Sequence, residues 1–184
     1  PYTRGFGGSA ARLKAQGVAF VEMYEAGYTG SVVNNAWRDF SFDASFTAVP
    51  NLLATTGRSD GDSAHVRISS TNPSLASWNA ELKIEEDTTY DAELIHANED
   101  VGYLALAGDG LLGGIAPTQK MGEVGRVSNL TDDPQTVVLQ RSYTNPVVFA
   151  QLISVREGQP AIARVTNVQS DRFTVYLQEP SNLG

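Results

Sequence analysis

Apolar, β-branched and aromatic residues in this chain arrive in short blocks closed by turn-forming residues, and no stretch long enough for a stable helix carries a helical stripe. The blocks fall at 16–23, 40–46, 51–56, 64–69, 78–85, 101–107, 136–141, 147–155, 161–168 and 173–178. Several alternate residue by residue, as in Phe40, Ser41, Phe42 and in the run from Phe173 to Leu177. Period-two alternation puts one set of side chains on a core face and the other toward water. Between the blocks stand Asp60-Gly61, Asn72-Pro73, Asp133-Pro134, Glu157-Gly158 and Ser170-Asp171, all turn formers for known backbone reasons. The best helical candidate, 91–98, is short and reads equally well as a loop. The expected fold is all-β, an antiparallel β-sandwich.

The blocks repeat. The stretch from Phe46 through Pro50 to Thr55 lines up with that from Ser142 through Pro146 to Gln151. A short strand carrying Arg67 or Arg164 follows, and then Ala80 to Glu86 beside Phe173 to Glu179. Two related units are expected, 31–110 and 111–184, behind an N-terminal arm at 1–30. The first continues into Val101, Gly102 and Tyr103, whereas the second reaches Gly184 with no counterpart of that strand. Residues 17–23 resemble 101–106, so the arm holds a strand able to complete the second unit. Closure within the chain, exchange with another chain and truncation of a longer array are the three routes. With Pro1 at its start, the sequence is expected to be a processed or excised piece.

Charge narrows the partners. Thirteen Lys and Arg against twenty-one Asp and Glu leave a net charge of −8, and the densest basic group is only Arg4, Arg12 and Lys14. Nucleic acid and anionic membrane surfaces are disfavoured partners. No apolar run has the length of a bilayer-spanning helix, so no membrane insertion is expected. The absence of cysteine removes disulfides, thiolate nucleophiles and thiolate metal sites.

Phe42, Phe46 and Val49-Pro50-Asn51-Leu52-Leu53 form one motif, and Tyr143 with Pro146-Val147-Val148-Phe149 forms its partner. Each precedes an arginine-bearing strand and then an aromatic–aliphatic one. The pattern resembles H-type lectin and H-type-lectin-like modules over 31–107 and, less completely, over 125–179. The resemblance implies six-stranded antiparallel sandwiches that commonly form trimers and bind N-acetylgalactosamine-type or related sugars between subunits. His96, Glu99 and Val101-Gly102-Tyr103 look closer to bacterial tandem versions, which implies an extracellular or cell-surface setting. The loop motifs differ from the lectins', so no sugar contact carries over. The animal members also use disulfides, which this chain lacks.

Chemistry-bearing residues are few. His96 and Glu99 have the i,i+3 spacing that brings imidazole and carboxylate together for metal binding or proton transfer, or for a structural polar network. Glu85, Glu86, Asp87, Asp91 and Glu93 could cleave a glycosidic bond, hold Ca²⁺ through hard oxygens, or simply solvate a loop. Residues 59–63 echo a calcium loop but lack its closing glutamate and read as a hairpin turn. Trp37 and Trp78, with Tyr90 and Tyr143 behind them, are either sugar-stacking platforms or core-edge rings. Arg67 and Arg164 either lock strands by facing Glu86 and Glu179 or present a fork to an acidic sugar. The glycine-rich stretch 108–114 reads as a linker.

The expected function is a non-enzymatic carbohydrate-binding module with Trp78, Tyr90, His96, Glu99 and Arg67 as ligand-binding residues. No catalytic residue or cofactor is assigned; the metal question stays open, with Ca²⁺ as the candidate. Expected partners are a glycan or polysaccharide, and a further copy or neighbouring module on an open strand edge. The alternatives are a structural or assembly module, and a polysaccharide-active enzyme using His96 and nearby carboxylates.

Overall fold

The computed structural model describes residues 24–42, 46, 49–57, 63–71, 79–89, 93–113, 120–156 and 158–180. In chain order the strands are β1 (Tyr24–Tyr28), β2 (Arg38–Ser41), β3 (Asn51–Thr56), β4 (Ala64–Thr71), β5 (Asn79–Glu86) and β6 (Val101–Leu106). They continue as β7 (Gly110–Gly113), β8 (Lys120–Val124), β9 (Gln135–Val138), β10 (Ile162–Thr166) and β11 (Arg172–Gln178). The protein is all-β, and every pairing among the described strands is antiparallel.

Strands β1 to β6 make two three-stranded sheets, ordered β1-β6-β3 and β2-β5-β4. Alternation decides which side chains lie between them. Val101, Tyr103 and Ala105 point inward from β6, and Leu82 and Ile84 from β5. Leu52, Val66, Ile68, Ala80 and Phe46 complete a single core shared by the two sheets. Leu82, Ile84, Ile68 and Phe46 are fully buried, and each such side chain contributes about 1.5–3 kcal/mol through removal of apolar surface from water. Phe40, Phe42, Phe46 and Tyr103 meet edge to face with ring centroids 4.5 to 6.0 Å apart, the geometry favoured by the ring quadrupole. Tyr103 needs a gap in the neighbouring strand. Its register partner is Gly27, where an added Cβ would sit 2.8 Å from the Tyr103 hydroxyl.

The sheet β10-β11-β9 repeats β4-β5-β2 in order, direction and register. Arg67 stands opposite Lys83 as Arg164 stands opposite Tyr176. Arg38 stands opposite Leu82 as Gln135 stands opposite Val175. The packing of the two sheets differs sharply. Within β9, β10 and β11 only Val175 is buried, while Val138, Val147 and Phe149 are at least two-thirds exposed.

The stretch 147–155, expected as a strand, forms no ladder. In the first sandwich its counterpart β3 pairs, among the described strands, with β6 alone, and no described strand takes the place of β6 beside 147–152. Without that partner the extended residues have no ladder to join. Glycine-rich 108–114, expected as a linker, instead contains β7, which pairs with β8 as a hairpin. β1 falls inside the stretch read as an arm for the second unit, yet it pairs with β6 of the first sandwich. The alternating block at 16–23 lies outside the described residues, as do 59–62.

Replacing Phe46 with Ala is expected to cost about 3–5 kcal/mol, through lost burial and the cavity left behind. Phe149→Ala should change stability by no more than about 0.5 kcal/mol, because the ring is 76% exposed. Urea unfolding of the two variants measures the contrast.

Candidate functional site

Two groups of ionisable residues lie on opposite faces of β5. Glu86 follows Leu82 and Ile84 on the inward face and meets His96, whose Nδ1 is hydrogen-bonded to the Glu86 carboxylate. The other ring nitrogen of His96, Nε2, lies 3.3 Å from Glu99 Oε1. All three residues are buried. A neutral imidazole has one N–H, so only the imidazolium donates to both carboxylates at once. The loop bearing His96 and Glu99 is tied to residues 33–35. Glu99 N donates to Val33 O at 2.7 Å, Val33 N to Glu99 O at 3.3 Å, and His96 N to Asn35 Oδ1 at 3.3 Å. A second inward carboxylate, Glu25, accepts the Tyr103 hydroxyl at 2.5 Å. Among the described residues no cluster of three His, Asp or Glu side chains converges on a metal position.

The outward face of β4 and β5 carries the second group. Arg67 Nη1 donates to Ala161 O at 2.7 Å, and Ala161 N donates to Glu85 Oε2 at 3.3 Å. Arg67 Nη1 and Glu85 Oε2 are themselves 3.5 Å apart, with both side chains nearly excluded from solvent. The charged pair thus clamps both polar backbone groups of one residue far away in sequence. Lys83 Nζ, 3.0 Å from Glu85 Oε1, also sits 5.0 Å from the centre of the Trp37 ring. His65 Nε2 lies 3.2 Å from Glu85 Oε2, close enough for an ion pair though bent away from hydrogen-bond geometry. Burial is the largest influence on Glu85 and opposes its ionisation. The His65 contact, with Lys83 and Arg67 behind it, outweighs burial and holds the carboxyl below its ordinary value.

Further contacts extend this junction. Gln151 Nε2 donates to Val66 O at 3.0 Å, and Val155 N to Ser69 O at 3.2 Å, so 151–155 runs beside the open edge of β4. A cleft of about 240 Å³ remains between β3, β4 and residues 150–152 and 161–163, with His65 and Gln151 among its lining. On the other side of the repeated sheet's junction, Arg126 donates to Asn51 Oδ1 and Val49 O, each at 2.6 Å. Glu123 on β8 accepts from Gln140 N at 2.9 Å and from the Tyr143 hydroxyl at 3.1 Å. Burial, then the Glu123 charge, pushes the Tyr143 hydroxyl up from its ordinary value.

An open concavity lies on the repeated sheet. It is a shallow groove of about 530 Å³ lined by Val148, Phe149, Ala150, Ala163, Arg164, Val165, Thr166 and Tyr176. Arg164 and Tyr176 are directly opposite on adjacent strands, and Phe149 offers an exposed ring. Among the described residues no acidic side chain lines this groove.

Of the residues expected to bind ligand, Trp78 and Tyr90 lie outside the described residues. His96 and Glu99 meet in the sandwich interior, and Arg67 holds Ala161 at the junction. Arg67 does not face Glu86 as expected, because the two lie on opposite faces of the β4–β5 pair; its carboxylate is Glu85. Trp37 is 39% exposed, with Lys83 over its ring. Phe149 and Tyr176 went unassigned from sequence, although Tyr176 sits in the alternating run of β11. Comparison with family models, with curated proteins and with solved structures finds no match to this chain.

Arg67→Ala should destabilise the protein by about 3–5 kcal/mol, since buried Glu85 loses one of its cations and the Ala161 carbonyl loses its donor. The double variant Arg67→Met with Glu85→Leu should recover much of that loss, as denaturant unfolding would show. The Glu85 carboxyl is depressed in the folded state, so its stabilising effect is present at neutral pH. It should be lost as pH falls below about 4.5, the ordinary glutamate value, and further through the folded one. Acid titration of the unfolding free energy should therefore show a smaller loss in the double variant than in the native chain.

Proposed function

We propose that this chain is a non-enzymatic carbohydrate-recognition module that uses the groove of Phe149, Arg164 and Tyr176. The observation that carries the reading is that exposed or half-exposed rings and a guanidinium share one open concavity. An aromatic face packs against the apolar C–H face of a pyranose, while guanidinium and hydroxyl groups bond its oxygens. The histidines and the Glu85, Glu86 and Glu99 carboxylates, by contrast, are engaged with protein partners. That distribution favours binding over hydrolysis, which needs a carboxylate pair open to the glycosidic oxygen. The all-β, antiparallel fold of β1 to β6 is of the kind that the resemblance to H-type lectin modules implies, and that resemblance is the ground for proposing an extracellular or cell-surface setting.

Phe149→Ala and Tyr176→Ala should each weaken glycan binding about tenfold, the loss of about 1–2 kcal/mol expected for a stacked ring. Glycan-array screening followed by isothermal titration of the best ligand measures this. Absence of binding at millimolar oligosaccharide would overturn the reading.

A further inference from the structure

The register of the repeated hairpin identifies what the groove should prefer. In the first sandwich Arg67 lies opposite Lys83, and His65 lies opposite Glu85. In the second sheet Arg164 lies opposite Tyr176, and Ile162 lies opposite Gln178. Arg164 is therefore the counterpart of Arg67, and Gln178 the counterpart of Glu85. The arginine is kept, but the carboxylate that neutralises it has become an amide. His65 and Lys83, the other groups around Glu85, are replaced by Ile162 and Tyr176.

The result is local. Arg67 is buried and bonded to Glu85 and the Ala161 carbonyl. Arg164 is exposed and, among the described residues, has no ion pair and borders a groove without acidic lining. An uncompensated guanidinium beside flat rings suits a planar anion attached to a pyranose. Its two parallel N–H donors match a carboxylate, and the charge-assisted bonds are roughly twice as strong as neutral ones.

We propose that the groove selects acidic glycans, sugars bearing a carboxylate such as uronic or sialic acids, with Arg164 as the residue that reads the charge. This rests on the carbohydrate reading above and specifies its ligand class.

The test compares matched probes that differ mainly in charge: an oligogalacturonide against its methyl ester, and sialyllactose against lactose. Titration calorimetry should give at least tenfold tighter binding for one acidic probe over its neutral match, with the preference shrinking as salt rises. Arg164→Gln should abolish the preference while leaving weak neutral binding, and Arg164→Lys should restore part of it. Circular dichroism and the melting temperature should be unchanged in both variants, since the side chain is exposed. Equal binding of acidic and neutral probes would overturn the acidic selectivity but leave the carbohydrate reading standing. A preference that survives Arg164→Gln would overturn the role of Arg164, and no binding of any probe would overturn both readings.

Discussion

The clamp of Arg67 and Glu85 on the backbone of Ala161 is the constraint on which the arrangement of the two repeated sheets depends. A guanidinium and a carboxylate withdrawn from water must satisfy their hydrogen bonds within the protein or cost several kcal/mol each. Here Arg67 Nη1 and the Glu85 carboxylate do so in part by gripping the carbonyl and amide of Ala161, just before β10, while Arg67 Nε has no hydrogen-bond partner. The neighbouring contacts of Gln151 and Val155 with the β4 edge lie alongside that anchoring. An open strand edge is also a template for unwanted pairing, and the segment beside β4 covers part of it. The junction therefore combines a positional device with edge protection.

Polar chemistry inside the first sandwich has a similar character. Glu86, His96 and Glu99 close one region of the interior, and Glu25 with Tyr103 occupies another. Buried groups of this kind contribute geometric definition more than net stability, because desolvation offsets much of their attraction. The apolar core supplies the attraction, and the polar contacts restrict which packing is acceptable. Gly27 shows how local the fit is, since the Tyr103 ring occupies the space where a side chain would begin.

Much of the fold was legible because alternation and turn chemistry are local. The blocks at 51–56 and 173–178 differ from β3 and β11 by at most one residue. The repeat was visible in the spacing of Arg67 and Arg164, and the pairing of β10 with β11 reproduces it. The stretch 147–155 misled because its composition suits a strand, whereas a strand also needs a bonding partner, which composition does not disclose. β7 was missed for the opposite reason: glycine-rich 108–114 has weak strand propensity, but the adjacent β8 supplies its ladder. The candidate site was less legible still. His96 with Glu99 stood out by spacing alone, and only the packing reveals that they face inward. Phe149 and Tyr176 meet Arg164 through tertiary structure, so no contiguous motif announces the groove.

The exchange of Glu85 for Gln178 across the repeat has a wider consequence. Once one copy of a hairpin holds the architecture together, its twin is released from that duty and can vary without unfolding the protein. A single carboxylate-to-amide difference, set among a few altered neighbours, separates an arginine that serves as mortar from one left facing outward. Duplication thus gives the same backbone two careers, one conservative and one exploratory, and the second can be retuned by side-chain replacement while the first stays fixed.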